Sequence, residues 1–198
     1  MKKQVIISIS REYGSAGHFI AERLSQELDI PLYDHNFLDK MAEAKGTSLK
    51  EFSKYEEKKR RPFLSRTVKG MTNSPEEILA QMQFDFIRKK AKEGHSMVIV
   101  GRCADYVLKG NPALITIFIS GDMKEKIKRI MNIYSMNHSE ATKAIEARDK
   151  KRRDYHNYYT DTKWGDSRHY DLCINSSKLG IDKTVDLLKD YIGKCMND

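Results

Sequence analysis

Cysteine is scarce in this chain and poorly placed for chemistry. Cys103, Cys173 and Cys195 are an odd number, far apart, with no CxxC spacing and no histidine pair to complete a zinc site. That excludes a disulfide framework and a structural zinc centre, and points to free thiols in a reducing compartment. Long apolar runs are missing as well. Met1-Lys2-Lys3-Gln4 leads straight into a short strand, and a run of about six residues is too short for a signal-peptide core or a membrane span. The expectation is a cytoplasmic protein without membrane contact. There is no internal repeat and no low-complexity segment, which removes solenoids and disordered tails.

What is present is a chain of 198 residues, 39% apolar and 32% charged. This suits one medium globular domain with a real core and space for a small inserted lobe. The formal net charge of +8 favours phosphorylated or polyanionic partners. Nucleotides and nucleic acid both satisfy it, so charge alone does not choose between them.

The organising stretch runs from Val5 to Leu24. A β-branched apolar run turns on Gly14 and Gly17 and continues with Ile20, Leu24 and Leu28 at helical spacing. This reads as buried strand, glycine loop and amphipathic helix, a unit whose loop amides and helix dipole converge on a phosphate-sized point. Against the GxxxxGK[ST] pattern with Gly17 as its second glycine, Glu12 occupies the first glycine position. His18 replaces the lysine and Phe19 the metal-binding hydroxyl.

Further along, Asp29-Ile30-Pro31-Leu32-Tyr33-Asp34 reads as a helix end followed by a short strand with proline at its start, and Asp34 and His35 lie at its C-terminal end, the edge where parallel sheets bind ligands. Asp34 serves equally as the cap of a helix from about Asn36 to Ala44. From Lys45 to Ser74 the pattern weakens into a short helix near Thr47 to Glu51 and a charge run from Tyr55 to Arg61, broken by Pro62, Gly70 and Pro75. Ser74-Pro75-Glu76-Glu77 starts a helix that reaches Lys92.

Met97 to Val100 is a buried strand running into Gly101-Arg102-Cys103-Ala104-Asp105, where Arg102 suits a phosphate or an ion pair with Asp105. Leu114 to Ser120 is the next strand, followed by helices from Met123 to Tyr134 and from Ser139 through Arg153. Arg148 and Arg152 share one face of the latter. The aromatics Tyr155, Tyr158, Tyr159 and Trp164 either stack bases or pack a loop onto the body. Asp171 to Asn175 is the last strand, and Gly180-Ile181-Asp182 opens the closing helix. This alternation predicts a three-layer α/β fold, a parallel sheet of about five strands covered on both faces.

Taken together, Ile9-Ser10-Arg11-Glu12-Tyr13-Gly14-Ser15-Ala16-Gly17, Ile30 to Asp34, Val100 to Asp105, Arg148-Asp149-Lys150-Lys151-Arg152 and the finish from Tyr170 to Asp182 resemble the cytidylate kinase-like family. That family is a branch of the P-loop nucleoside monophosphate kinases, and the resemblance covers essentially the whole chain. It implies a core of 1–34 and 95–198, a helical monophosphate-binding insertion of about 35–94, and an arginine-rich lid of about 148–168. It implies ATP as donor with Mg2+, and a nucleoside monophosphate, CMP or dCMP, as acceptor. The donor cradle falls on Gly14, Ser15, Ala16, Gly17, His18 and Phe19. Substrate contacts fall on Asp34, Arg102, Asp105 and Arg153, and the charges acting on the transferred group on Arg11, His18, Arg148 and Arg152.

With no loop lysine, Arg11 and His18 are the available replacements, and Ser15 or Glu12 or water would hold magnesium. Cys103 stands where many cytidylate kinases carry aspartate. Two other readings stay open. One is a nucleotide-binding sensor that has lost transfer; the other, with less support, is a nucleic-acid binder using Lys58 to Arg61 and Lys150 to Arg153.

Overall fold

A computed structural model describes residues 3–34, 67–68, 71–72 and 74–197. The helices expected near Asn36 to Ala44 and Thr47 to Glu51, and the charge run ending at Arg61, lie outside the described residues.

β1 (Ile6–Arg11) is buried from Ile6 to Ser10 because the sheet is covered on both faces there. α1 (Gly17–Leu28) follows it and ends at Asp29, in the left-handed region. β2 (Leu32–Tyr33) comes next, then a small antiparallel hairpin of β3 (Thr67–Val68) and β4 (Met71–Thr72) that sequence periodicity does not signal. α2 (Pro75–Lys92) starts with proline and acids in its first turn, as the pattern predicts. β5 (Met97–Val100), a single turn α3 (Ala104–Val107), β6 (Leu114–Ser120) and α4 (Met123–Tyr134) continue the chain.

α5 (His138–Tyr159) is capped by Asn137, whose side chain accepts from the Glu140 amide while Glu140 reaches back to the Asn137 amide. The expected helix therefore begins one residue earlier, and it ends six residues later because the aromatic run is its last turns. β7 (Leu172–Asn175) precedes α6 (Ser176–Asn197), which is interrupted at Gly180 with φ 74° and ψ −178°. Only the part after Gly180 is the closing helix read from the sequence.

The five long-range strands form one parallel sheet in the order β2-β5-β1-β6-β7. Alternation along β1 splits the core in two. Ile7 and Ile9 meet Ile20 and Leu24 of α1 and Val185, Leu188 and Ile192 of α6. Ile6 faces the other way, onto Ile87 of α2 and Ala104 of α3. Each such fully buried isoleucine contributes roughly 1.5–3 kcal/mol. A separate cluster of Ile127, Ile130, Ala141 and Ile145 joins α4 to α5.

Register decides what reaches the ligand edge. Ile9 sits opposite both Val100 and Ile117, and the Gly101 amide donates to the Ile9 carbonyl at 2.9 Å. The turn after β5 is thereby set beside Ser10 and Arg11. Because β1 is followed by neighbours on opposite sides, its C-terminal end is the crevice where open α/β sheets take ligands.

Candidate active site

Between β1 and α1 the chain makes a tight, self-bonded loop. Gly14 has φ 83° and Ala16, at the helix N-cap, has φ 63°. The buried Ser15 hydroxyl donates to the Glu12 carbonyl at 2.8 Å and accepts from the Gly17 amide at 3.3 Å. A Cβ on Gly17 would lie 2.5 Å from Cβ of Arg11, so glycine here is what lets the Arg11 side chain cross the loop. Its far end reaches the next turn, where a Cβ on Gly101 would lie 2.7 Å from Arg11 Nη1.

That second turn is strained. Gly101, Arg102 and Cys103 have φ of 77°, 59° and 53°, three left-handed residues in a row. Strain of this kind costs about 1–3 kcal/mol per non-glycine residue and concentrates at working sites. The turn delivers Arg102, only 5% exposed, into a narrow cleft shared with Arg11, Arg152, His156 and Trp164. Three guanidiniums from β1, the β5 turn and α5 thus converge, an arrangement suited to phosphate oxygens.

The loop is held from below by a polar network that no local pattern announces. Lys126 of α4, 4% exposed, places Nζ 2.9 Å from Glu12 Oε2 and 3.5 Å from Asp149 Oδ2. Asp149 accepts from the Tyr13 amide at 2.6 Å, and Arg129 donates to the Gly14 carbonyl. Burial pushes the Asp149 carboxyl above its ordinary value, against the Tyr13 amide, Lys126 and Arg152, which pull it down. Arg152 donates to the Arg11 carbonyl at 3.2 Å. Arg148 and Arg152 lie 4.9 Å and 5.6 Å from the Tyr13 ring centre. Burial and a hydrogen bond to Tyr134 raise the Tyr13 hydroxyl to about 12 in spite of both arginines, so it stays protonated.

The other expected site residues are distributed around this centre. Phe19 is 45% exposed at the start of α1. His18 faces carboxylates, with Nε2 3.4 Å from Glu22 and 3.7 Å from Asp34. Asp105, expected on the substrate, has Oδ2 2.9 Å from His156 Nε2, both side chains 5% exposed, and its Oδ1 is buried without a hydrogen-bond partner. Arg153 lies 5.8 Å from the Trp164 ring centre. Tyr155 and Tyr159 pack on each other and on Phe84 and Cys103, so they are core rather than a base-stacking surface.

Magnesium finds no prepared cage among the described residues. They contain no group of three His, Cys, Asp or Glu side chains able to hold an ion. Ser15 Oγ is consumed inside the loop and Glu12 Oε2 by Lys126 and the Gly121 amide. The side chains expected as direct ligands do not fit that role. No helix among the described residues is long and apolar enough to cross a membrane, and the three cysteines are free.

Known proteins align with this chain over nearly its full length. A cytidylate kinase of Methanopyrus kandleri is 24% identical over 197 residues, covering 95% of this chain and 93% of its own. One from Pyrococcus horikoshii is 28% identical over 179 residues, with 89% and 82% covered. Among solved structures, an uncharacterized protein from Eubacterium ventriosum superposes with a TM-score of 0.77 at 38% identity, covering 96% of this chain and 99% of that one. Shikimate kinase from Bacteroides thetaiotaomicron gives 0.55 at 13% identity, with 96% and 98% covered, a likeness of fold. The sequence pattern of one family runs from β1 through the loop, the strained turn and the lysine-arginine network to the start of α6, residues 6–178. On that match the chain belongs to the cytidylate kinase-like family.

Proposed function

We propose that the protein is an ATP-dependent nucleotide kinase that phosphorylates a nucleoside monophosphate, with CMP or dCMP as the acceptor. The observation that carries this is the path of Arg11, whose side chain runs from Gly17 of the loop to Gly101 of the strained turn. It bridges the two places where donor and acceptor phosphates would lie. An acceptor phosphate oxygen attacks the γ-phosphorus in line, the bond to the β,γ-bridging oxygen breaks, and ADP leaves with that electron pair. Such a transfer asks the protein for alignment and positive charge rather than covalent help.

In this scheme the amides of Gly14 to Gly17 cradle the donor, and Arg102 clamps the acceptor phosphate. Arg11 and Arg152 stabilise the transferring group, with Arg148 beside them on the Tyr13 stack. Arg11 takes over the charge of the missing loop lysine; His18 is committed to Glu22 and Asp34 and orders the start of α1. Magnesium supplies charge neutralisation on the nucleotide phosphates, and Mg2+ commonly keeps several waters and arrives with its nucleotide. Residues 1–34 and 95–198 act as the core, about 35–94 as the acceptor insertion and about 148–168 as the lid. A reducing cytoplasm agrees with the free cysteines.

The test is a panel of ribo- and deoxyribonucleoside monophosphates with ATP and magnesium, read as diphosphate formed. CMP and dCMP are expected to give the highest kcat/KM. No diphosphate from any acceptor removes the enzyme reading. A nucleotide-binding sensor is the second reading, favoured by the Ser15 hydroxyl being tied up within the loop. Tight nucleotide binding by calorimetry without turnover selects it.

A further inference from the structure

Trp164 is the single tryptophan of the chain, and nothing in the phosphate chemistry above requires it. It nevertheless lines the same cleft as Arg11, Arg102 and Arg152. Its ring is fixed in place from several directions. The Trp164 amide donates to Asn157 Oδ1 at 2.8 Å, tying the segment to the end of α5. The indole meets the Phe118 ring of β6 at a centroid distance of 5.2 Å and 81°, and Phe118 rests on Tyr170 at 5.2 Å. Gly165 follows with φ 78°, and a Cβ there would come within 3.1 Å of Phe118 Cζ, so glycine lets this turn approach the sheet closely enough to seat the indole.

A large planar side chain held so firmly beside three guanidiniums suits a ligand that carries both a phosphate and a flat ring. The guanidiniums read the phosphate without distinguishing what is attached to it. Among the described residues no carboxylate lines the cleft to count sugar hydroxyls; Trp164 borders it, with Arg153 5.8 Å from its ring centre, and an indole is the kind of surface on which a base stacks.

We propose that Trp164 is the stacking platform for the acceptor's base, and that it makes the site select aromatic phosphate monoesters over sugar phosphates. This rests on the phosphoryl-transfer reading of the same cleft. The bland alternative is a plug, an indole that only fills space between Phe118 and Arg153.

The single tryptophan makes the test direct. Indole emission of the wild-type protein is titrated with CMP and with ribose 5-phosphate, while calorimetry reports occupancy for each. CMP is expected to quench or shift the emission strongly, and ribose 5-phosphate at equal occupancy to leave it nearly unchanged. In Trp164→Leu the Kd for CMP is expected to rise about tenfold to a hundredfold, with the Kd for ribose 5-phosphate unaltered. Trp164→Phe is expected to recover most of that loss.

Emission unmoved at demonstrated CMP saturation overturns the proposal, as does an equal CMP affinity for Trp164→Leu and wild type; either leaves the kinase reading standing. The emission measurement needs no variant to fold. CMP binding with the stacking signature but no diphosphate formed removes the transfer reading alone, and no monophosphate binding to the wild type overturns both.

Discussion

Replacing Lys126 by methionine keeps an aliphatic stem against Gly14 and removes the ammonium between Glu12 and Asp149. Glu12 is partly exposed, so its loss is softened by water. Asp149 is buried, and after the change it keeps the Tyr13 amide and an Arg152 contact at 3.9 Å. Removing one partner of a buried charge pair costs about 3–5 kcal/mol. For a chain of this size that lowers Tm by about 6–20 °C.

The pH dependence gives a sharper signature. Burial already holds the Asp149 carboxyl above its ordinary value while Lys126 opposes the rise, so Lys126→Met moves it higher still. A carboxyl whose folded pKa exceeds its unfolded one contributes stability that is intact below the unfolded value and is lost as pH rises through the folded value. The deficit of Lys126→Met relative to wild type should therefore be small near pH 3, grow above about pH 4 and level off once Asp149 is ionised in both states. Urea unfolding at a series of pH values measures it, and the double variant Lys126→Met/Asp149→Asn should regain much of the neutral-pH loss. A deficit below about 1 kcal/mol, or one that is flat from pH 3 to 8, refutes the reasoning.

Four other outcomes are expected. Arg102→Lys should lower kcat/KM for the acceptor about tenfold to a hundredfold with the KM for ATP unchanged, because a point charge does not replace a bidentate fork; steady-state kinetics with each substrate varied decides it. Gly17→Ala should force Arg11 off its path, and a displacement of about 1 Å costs on the order of a hundredfold in kcat, with near-wild-type far-ultraviolet circular dichroism as the control. Asp105→Ala should cost about 1–3 kcal/mol by leaving the buried His156 Nε2 without its partner, measured by denaturant unfolding. Chelation with EDTA should abolish turnover yet leave Tm unmoved, since the described residues form no metal cluster; a Tm drop would show a structural ion.

The amino-acid sequence by itself determined the layered α/β architecture. Runs such as Met97 to Val100 and Leu114 to Ser120 have the length and β-branched content of strands buried on both faces, and glycine and proline mark the turns between them. It also marked Arg11, Arg102, Arg148 and Arg152 as phosphate-handling candidates, because their neighbours form a family signature. The tertiary structure alone decided which charges meet. Whether Arg102 joins Asp105 or the cleft, and that Asp105 instead meets His156 from α5, depends on sheet order and on the register that sets Gly101 beside Ile9. Lys126 looks in sequence like any other lysine on a basic helix, one of 36 basic residues. Only the packing of α4 and α5 under the loop gives it Glu12 and Asp149. Secondary structure follows from short-range periodicity and sterics, whereas a charge finds its partner through contacts between segments far apart in the chain, and these exist only once the sheet has closed.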